Sequence, residues 1–220
     1  MLARELVSEM LPSLRPEETL ERAAAWMEEF RVNHLPVVRG QEFLGLVFEE
    51  DLFENNQPQA PLNSGIVPLR QIYVEGYRHT LDVLRFLAEA QVSVLPVLDE
   101  GRYVGSIVQK ELLLRFASIW SFREPGGVVV LEMPARDYSV ARIAHLVESQ
   151  NTGIMSVYSD VNPQTGLMEM TLKFNKMDLS AVEAALLQHG YTIKASYHES
   201  PDKDDLRLRY ELLMSYLSDT

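Results

Sequence analysis

The chain has 220 residues, 46% hydrophobic and 24% charged, an ordinary globular balance with room for one to three small domains. It has no cysteine, which excludes disulfides, zinc–thiolate sites and thiol catalysis. Its formal net charge of −12 argues against a phosphate-backbone footprint, so no nucleic-acid partner is expected. No run reaches the roughly 18 apolar residues of a membrane span, and Met1-Leu2-Ala3-Arg4-Glu5 opens without a signal-peptide core. A cytoplasmic protein with no membrane partner is the expectation.

Residues 3–11 read as a short helix, and Pro12 and Pro16 hold an extended connection. Thr19 can cap the next helix, whose apolar stripe is Leu20, Ala23, Ala24 and Met27. Phe30 or Val32 ends it. Strands at 35–38 and 43–48 flank a turn at Arg39-Gly40, and a helix starts near Glu49. Residues 55–65 read as a linker and 70–74 as a short strand. Thr80 is matched with Thr19, with one residue lost in a turn, and Leu81, Leu84, Leu87 and Ala88 give the next stripe. Strands at 94–98 and 103–108 follow, then a helix from about 110 to 120. Pro36 and Pro96, Gly45 and Gly105, Asp51 and Glu111, and Leu52 and Leu112 each stand sixty positions apart. Four landmarks in one register mark an internal duplication.

Pro125-Gly126-Gly127 marks a domain boundary. Val128 to Met133 is an apolar strand, Val140, Ile143, Ala144 and Val147 a helical stripe, and Ile154 to Tyr158 a strand. Asn162 to Gly166 is a turn. Met168, Met170, Leu172 and Phe174 alternate with polar residues, the pattern of a strand buried on one face. Asp178 caps a helix carrying Leu179, Val182 and Leu186, Gly190 stops it, and Thr192 to Tyr197 is a last strand. The order is βαββαβ, a ferredoxin-like split unit. Leu206, Tyr210, Leu213 and Leu217 then predict an amphipathic C-terminal helix. The chain is thus α+β, divided into repeat 1 (1–58), repeat 2 (59–122), the βαββαβ domain (126–199) and the tail helix (202–218).

The duplicated unit resembles the CBS domain, and the pair resembles a CBS tandem, or Bateman module. The matching residues are Thr19-Leu20 and Thr80-Leu81, Leu35-Pro36-Val37 and Leu95-Pro96-Val97, the hairpins into Gly45 and Gly105, and the acidic-Leu pairs that follow. Residues 126–198 resemble an ACT domain in element order and in the Pro134 loop, although that loop, Met133 to Asp137, has no glycine. The resemblance implies two repeats meeting about a pseudo-twofold axis, a homodimer, and a regulatory rather than catalytic role. It also implies clefts for an adenine-type ligand: AMP, ADP, ATP, adenosine or S-adenosylmethionine. No resident cofactor is expected.

Carried onto this chain, the resemblance implies base recognition by backbone groups of Asn33, His34, Ser93 and Val94 ahead of Pro36 and Pro96. It implies ribose binding by Asp51 and Glu111, and secondary contacts from Thr19 and Thr80. A carboxylate can accept two hydrogen bonds from a ribose diol, which suits Asp51. The phosphate hydroxyl of the family pattern is replaced by Phe48 and Val108, and Glu49 and Glu50 add negative charge, so ligands with little phosphate are favoured. Bland readings stand beside these. Asp51 and Glu111 suit helix surfaces, His34 the core, and Thr19 and Thr80 helix caps. Arg136, Asp137 and Ser139 form the corresponding effector loop of the ACT-like part. The five histidines, His34, His79, His145, His189 and His198, show no ligand spacing, so no metal site is expected. The competing expectation is a scaffold without ligand that binds a protein partner.

Overall fold

The computed structural model describes residues 1–197, with Trp120 described in its backbone only. The predicted tail helix, His198 and the end of the third predicted domain lie outside the described residues. Backbone packing divides the chain into two compact units, with the division between Ala117 and Ser118. That is several residues before the boundary read at Pro125-Gly126-Gly127.

The first unit is built from two like halves. The first half holds α1 (Leu20–Phe30), β1 (His34–Arg39), β2 (Glu42–Phe48) and α2 (Glu49–Phe53). The second holds β3 (Val74–Glu75), α3 (Thr80–Ala90), β4 (Val94–Asp99), β5 (Arg102–Val108) and α4 (Gln109–Ala117). β1 pairs antiparallel with β2, and β4 with β5, each with the same irregularity at Val37/Val38 and Val97/Leu98. β3 joins β4 in parallel at Val74 and Val97. Its counterpart in the first half is a single parallel bridge from Leu14 to Val37.

The paired strands and the starts of the helices keep the sixty-residue offset, so no residue has been lost between the copies. The counterpart of Thr19 is His79, not Thr80. Both are N-caps: Thr19 Oγ1 accepts from Arg22 N at 3.2 Å, and His79 Nδ1 from Leu81 N at 3.3 Å. Both helices end in left-handed residues, Arg31 and Gln91. The buried stripe of α3 is accordingly Thr80, Val83 and Leu87, while Leu81 stays 65% exposed. Pairing threonine with threonine shifted the sequence reading by one position.

Residues 3–11 do not form a helix beyond one 3-10 turn at Ala3–Glu5. The amides of Ala3 and Arg4 donate instead to the carbonyls of Arg78 and Gly76, and Thr80 N and Oγ1 donate back to the carbonyl of Met1. These bonds draw the N-terminal segment onto the second half. Ala3 and Leu6 are buried there with Val83, Leu87, Leu95, Val97 and Ile107. The reverse holds for the linker. Leu62 and Val67 are buried in the first half with Leu20, Met27, Leu35 and Val37. The packing boundary therefore does not coincide with a cut at 58/59, because each half is completed by the segment that precedes the other.

Two glycines permit this exchange. Gly45 has φ +149°, and a Cβ there would sit 2.6 Å from Leu69 Cβ and 2.8 Å from the Leu69 carbonyl carbon. Gly105, at φ +142°, is approached by the Val7 side chain rather than by backbone, its Cγ1 lying where a Cβ would clash.

The second unit contains α5 (Trp120–Arg123), β6 (Val128–Met133), α6 (Val140–Glu148), β7 (Ile154–Val161), β8 (Met168–Phe174), α7 (Ser180–Gln188) and β9 (Thr192–Tyr197). α5 is separate from α4, which ends at Ala117 rather than near residue 120. The sheet order is β7-β8-β6-β9, antiparallel throughout. Alternate residues of β6 and β8, among them Val129, Leu131, Met170, Leu172 and Phe174, are buried with Ile143, Val147, Val182 and Leu186 of the two helices. Leu146 takes its place on the buried stripe of α6, and Val140 at its start is 41% exposed. Asp178 Oδ1 accepts from Ser180 N and Oγ, capping α7 from one residue outside its N-cap, Leu179.

Candidate functional site

The starts of β1 and β4 cross where the two halves of the first unit meet. The sequence puts Asn33-His34 on one side and Ser93-Val94 on the other. Each strand start is tied to the helix after its own hairpin, by Glu49 N donating to Asn33 O and Gln109 N to Ser93 O, both at 2.9 Å. Between the strands runs a polar chain. Asn33 N donates to Ser93 Oγ at 2.9 Å, Ser93 N donates to His34 Nδ1 at 3.1 Å, and Ser93 Oγ lies 2.9 Å from the same Nδ1. The Ser93 N–H points at Nδ1, which therefore carries no proton, so Ser93 Oγ, while accepting from Asn33 N, donates its own proton to Nδ1. Nδ1 is therefore an acceptor, and the neutral ring carries its proton on Nε2.

A cleft of about 370 Å³ opens beside this crossing. Asn33, His34, Phe48, Glu49, Glu50 and Arg70 line it from one side, and Ala90 and Gln91, at the left-handed end of α3, from the other. The ring of His34, 8% exposed, meets Phe48 edge-on at 4.2 Å. Burial lowers the His34 pKa, opposed by Glu50 and Glu49 and assisted by Arg70. Asn33 Nδ2 donates to Glu49.

Neither predicted carboxylate is among the residues that line this cleft. Arg70 Nη2 lies 3.0 Å from Asp51 Oδ2 and 3.0 Å from Glu50 Oε1, and its guanidinium covers the Phe48 ring at 3.8 Å. The Asp51 side chain is 15% exposed. In the second half Ser8 Oγ donates to Glu111 Oε1 at 2.8 Å. The two acidic positions are thus engaged in like fashion by the exchanged segments. Arg70 N and Leu46 O pair on one side, Ser8 N and Ser106 O on the other.

The remaining predicted residues divide as follows. Asn33 and His34 line the cleft, and Ser93 holds it from behind. Val94, Pro36 and Pro96 are buried inside strands. Thr19 is a helix cap, and Thr80 a buried anchor for the N-terminal segment, so neither belongs to the cleft. Arg70, Phe48, Ala90 and Gln91 are lining residues the sequence reading did not select.

In the second unit a separate hollow of about 230 Å³ lies between the loop after β6 and the loop before β9. Asp137 lines it with Glu132, Arg142 and His189. Arg136 is exposed and Ser139 caps α6 by accepting from Arg142 N, so the predicted effector triad does not converge. Among the described residues no group of three or more His, Asp and Glu could hold a metal ion. No helix among them is long and apolar enough to cross a membrane.

The solved structures similar to this chain cover about half of it. The chain is similar to a CBS domain pair/ACT domain protein from Thermotoga maritima, at 23% identity and a TM-score of 0.48 over 55% of this chain and 99% of that one. It is similar to CBSX2, solved in complex with AMP, at 18% identity and a TM-score of 0.47 over 54% of this chain and 97% of that one. It is also similar to the cytosolic domain of the Mg2+ channel MgtE, solved in complex with ATP, at 23% identity and a TM-score of 0.43 over 52% of this chain and 48% of that one. Residues 3–56, the first of the two copies, match the CBS domain family.

Proposed function

We propose that this chain is a regulatory ligand-sensing protein that takes an adenine-type small molecule in the cleft beside His34. The observation that carries this reading is the position of the cleft. It is lined from both copies at their crossing, so a molecule held there touches both halves at once. Such a ligand shifts the arrangement of the halves only as far as it binds one arrangement better than another. Glu49, Glu50 and Asp51 outnumber Arg70, which favours adenosine, S-adenosylmethionine and AMP over ADP and ATP. Residues 126–199 are read as a ferredoxin-like, ACT-like domain acting as effector or dimerisation module, supported by the βαββαβ order. The chain is read as a non-catalytic cytoplasmic homodimer. An apolar groove of about 560 Å³ between α3 and α4, lined by Leu84, Leu87, Leu113 and Phe116, supports self-association.

Thermal unfolding of the intact chain with each of the five ligands at millimolar concentration tests this reading. Adenosine, S-adenosylmethionine or AMP should raise the midpoint in proportion to affinity. No shift with any of them would reject the sensor. It would favour a second reading, a scaffold that binds a protein partner without ligand, for which the engagement of Asp51 by Arg70 and of Glu111 by Ser8 speaks.

A further inference from the structure

Resting on the adenine-type reading of the cleft, we propose that the His34 side chain is a specificity-determining residue: its Nε2–H donates to a base ring nitrogen next to an exocyclic amine, and Glu49 and Glu50 accept from that amine. The inference starts from the fixed direction of the ring. Ser93 supplies both hydrogen bonds that Nδ1 receives, so the imidazole cannot turn over without losing them. Among the described residues Nε2 has no hydrogen-bond partner, yet no buried side-chain nitrogen or oxygen there lacks one. Nε2 therefore reaches the surface of the cleft that His34 lines. The copy-two counterpart is Val94, which has no polar atom to offer, so this donor belongs to one cleft only.

The acceptors stand next to the donor. His34 is the cross-strand partner of Phe48, and Glu49 and Glu50 follow at once in the chain. Arg70 binds one oxygen of Glu50, and Asn33 Nδ2 binds one oxygen of Glu49. Among the described residues each carboxylate keeps a second oxygen without a partner. A fixed donor beside spare carboxylate acceptors complements an acceptor nitrogen beside an amine, as on C6-amino purines. It opposes a carbonyl at that position, whose oxygen would face a carboxylate. The charged groups facing His34 are Glu49, Glu50 and Arg70.

The test measures affinities of adenosine, its 1-deaza, 3-deaza and 7-deaza analogues and inosine for the full chain and for H34V and H34Q. For the wild type, inosine and one of the 1-deaza and 7-deaza compounds should bind about fivefold or more weakly than adenosine, and 3-deazaadenosine about as well. In H34V, which carries the residue of the other copy, that deaza penalty should vanish. In H34Q, whose amide can accept from Ser93 and still donate, part of it should return. Equal deaza penalties in wild type and H34V, or inosine binding as well as adenosine, would overturn the assignment while leaving the adenine reading intact. Failure of every nucleoside, and of AMP and S-adenosylmethionine measured beside them, to bind the wild type would remove both.

Discussion

A histidine that receives hydrogen bonds has to stay neutral, and His34 does so at the crossing of the two copies. Its pKa is lowered, chiefly by burial. The neutral form is thus favoured on folding, and the stabilisation is complete above the unfolded value of about 6.5. It is lost as the pH falls from there through the lowered folded value. The thermal midpoint should therefore drop as the pH falls through about 6.5 and below, and H34V should flatten that drop. Equal slopes for the two proteins would show that His34 does not titrate on unfolding. Asn33, His34 and Ser93 could be named from the sequence because the resemblance to the CBS domain, carried onto the two prolines, points to the residues before each. Arg70 could not, because it begins a stretch read as a short strand, and nothing in that stretch's composition says that it reaches back to Asp51. That reach depends on how closely two distant segments of backbone approach.

At the scale of elements, the strands and most helices follow from apolar spacing, since a stripe with a period of two or near four has one stable way to be buried. The exceptions are instructive. Apolar spacing over residues 3–11 is compatible with a helix, but the amides of Ala3 and Arg4 find stronger claims on them at Arg78 and Gly76. The stripe of α3 was misplaced by one residue because a histidine, not a threonine, caps it. The close approach at Gly45 is an element-level requirement, for it lets the Leu69–Arg70 segment lie along β2. Gly45→Ala should cost about 2 kcal/mol or more in chemical denaturation, through positive φ and contact with Leu69. It should also loosen Arg70 from Asp51. A neutral substitution would mean that the linker can lift away freely.

At the scale of the molecule, the first unit has two cores with traded pieces, and the second unit has its own. Leu6 is nearest in sequence to the first copy but is buried in the second. Leu6→Ala should cost about 2–5 kcal/mol. Amide exchange should accelerate first at Val97 and Ile107, with Val37 and Val47 following only on global opening of the unit. Earlier exposure of Val37 would contradict the trade. The trade also bears on ancestry. A forebear with one copy and one arm could close its core only by swapping arms with a twin, as subunits do in exchanged dimers. Fusing two such chains end to end disturbs no contact; it converts a meeting of molecules into the folding of one.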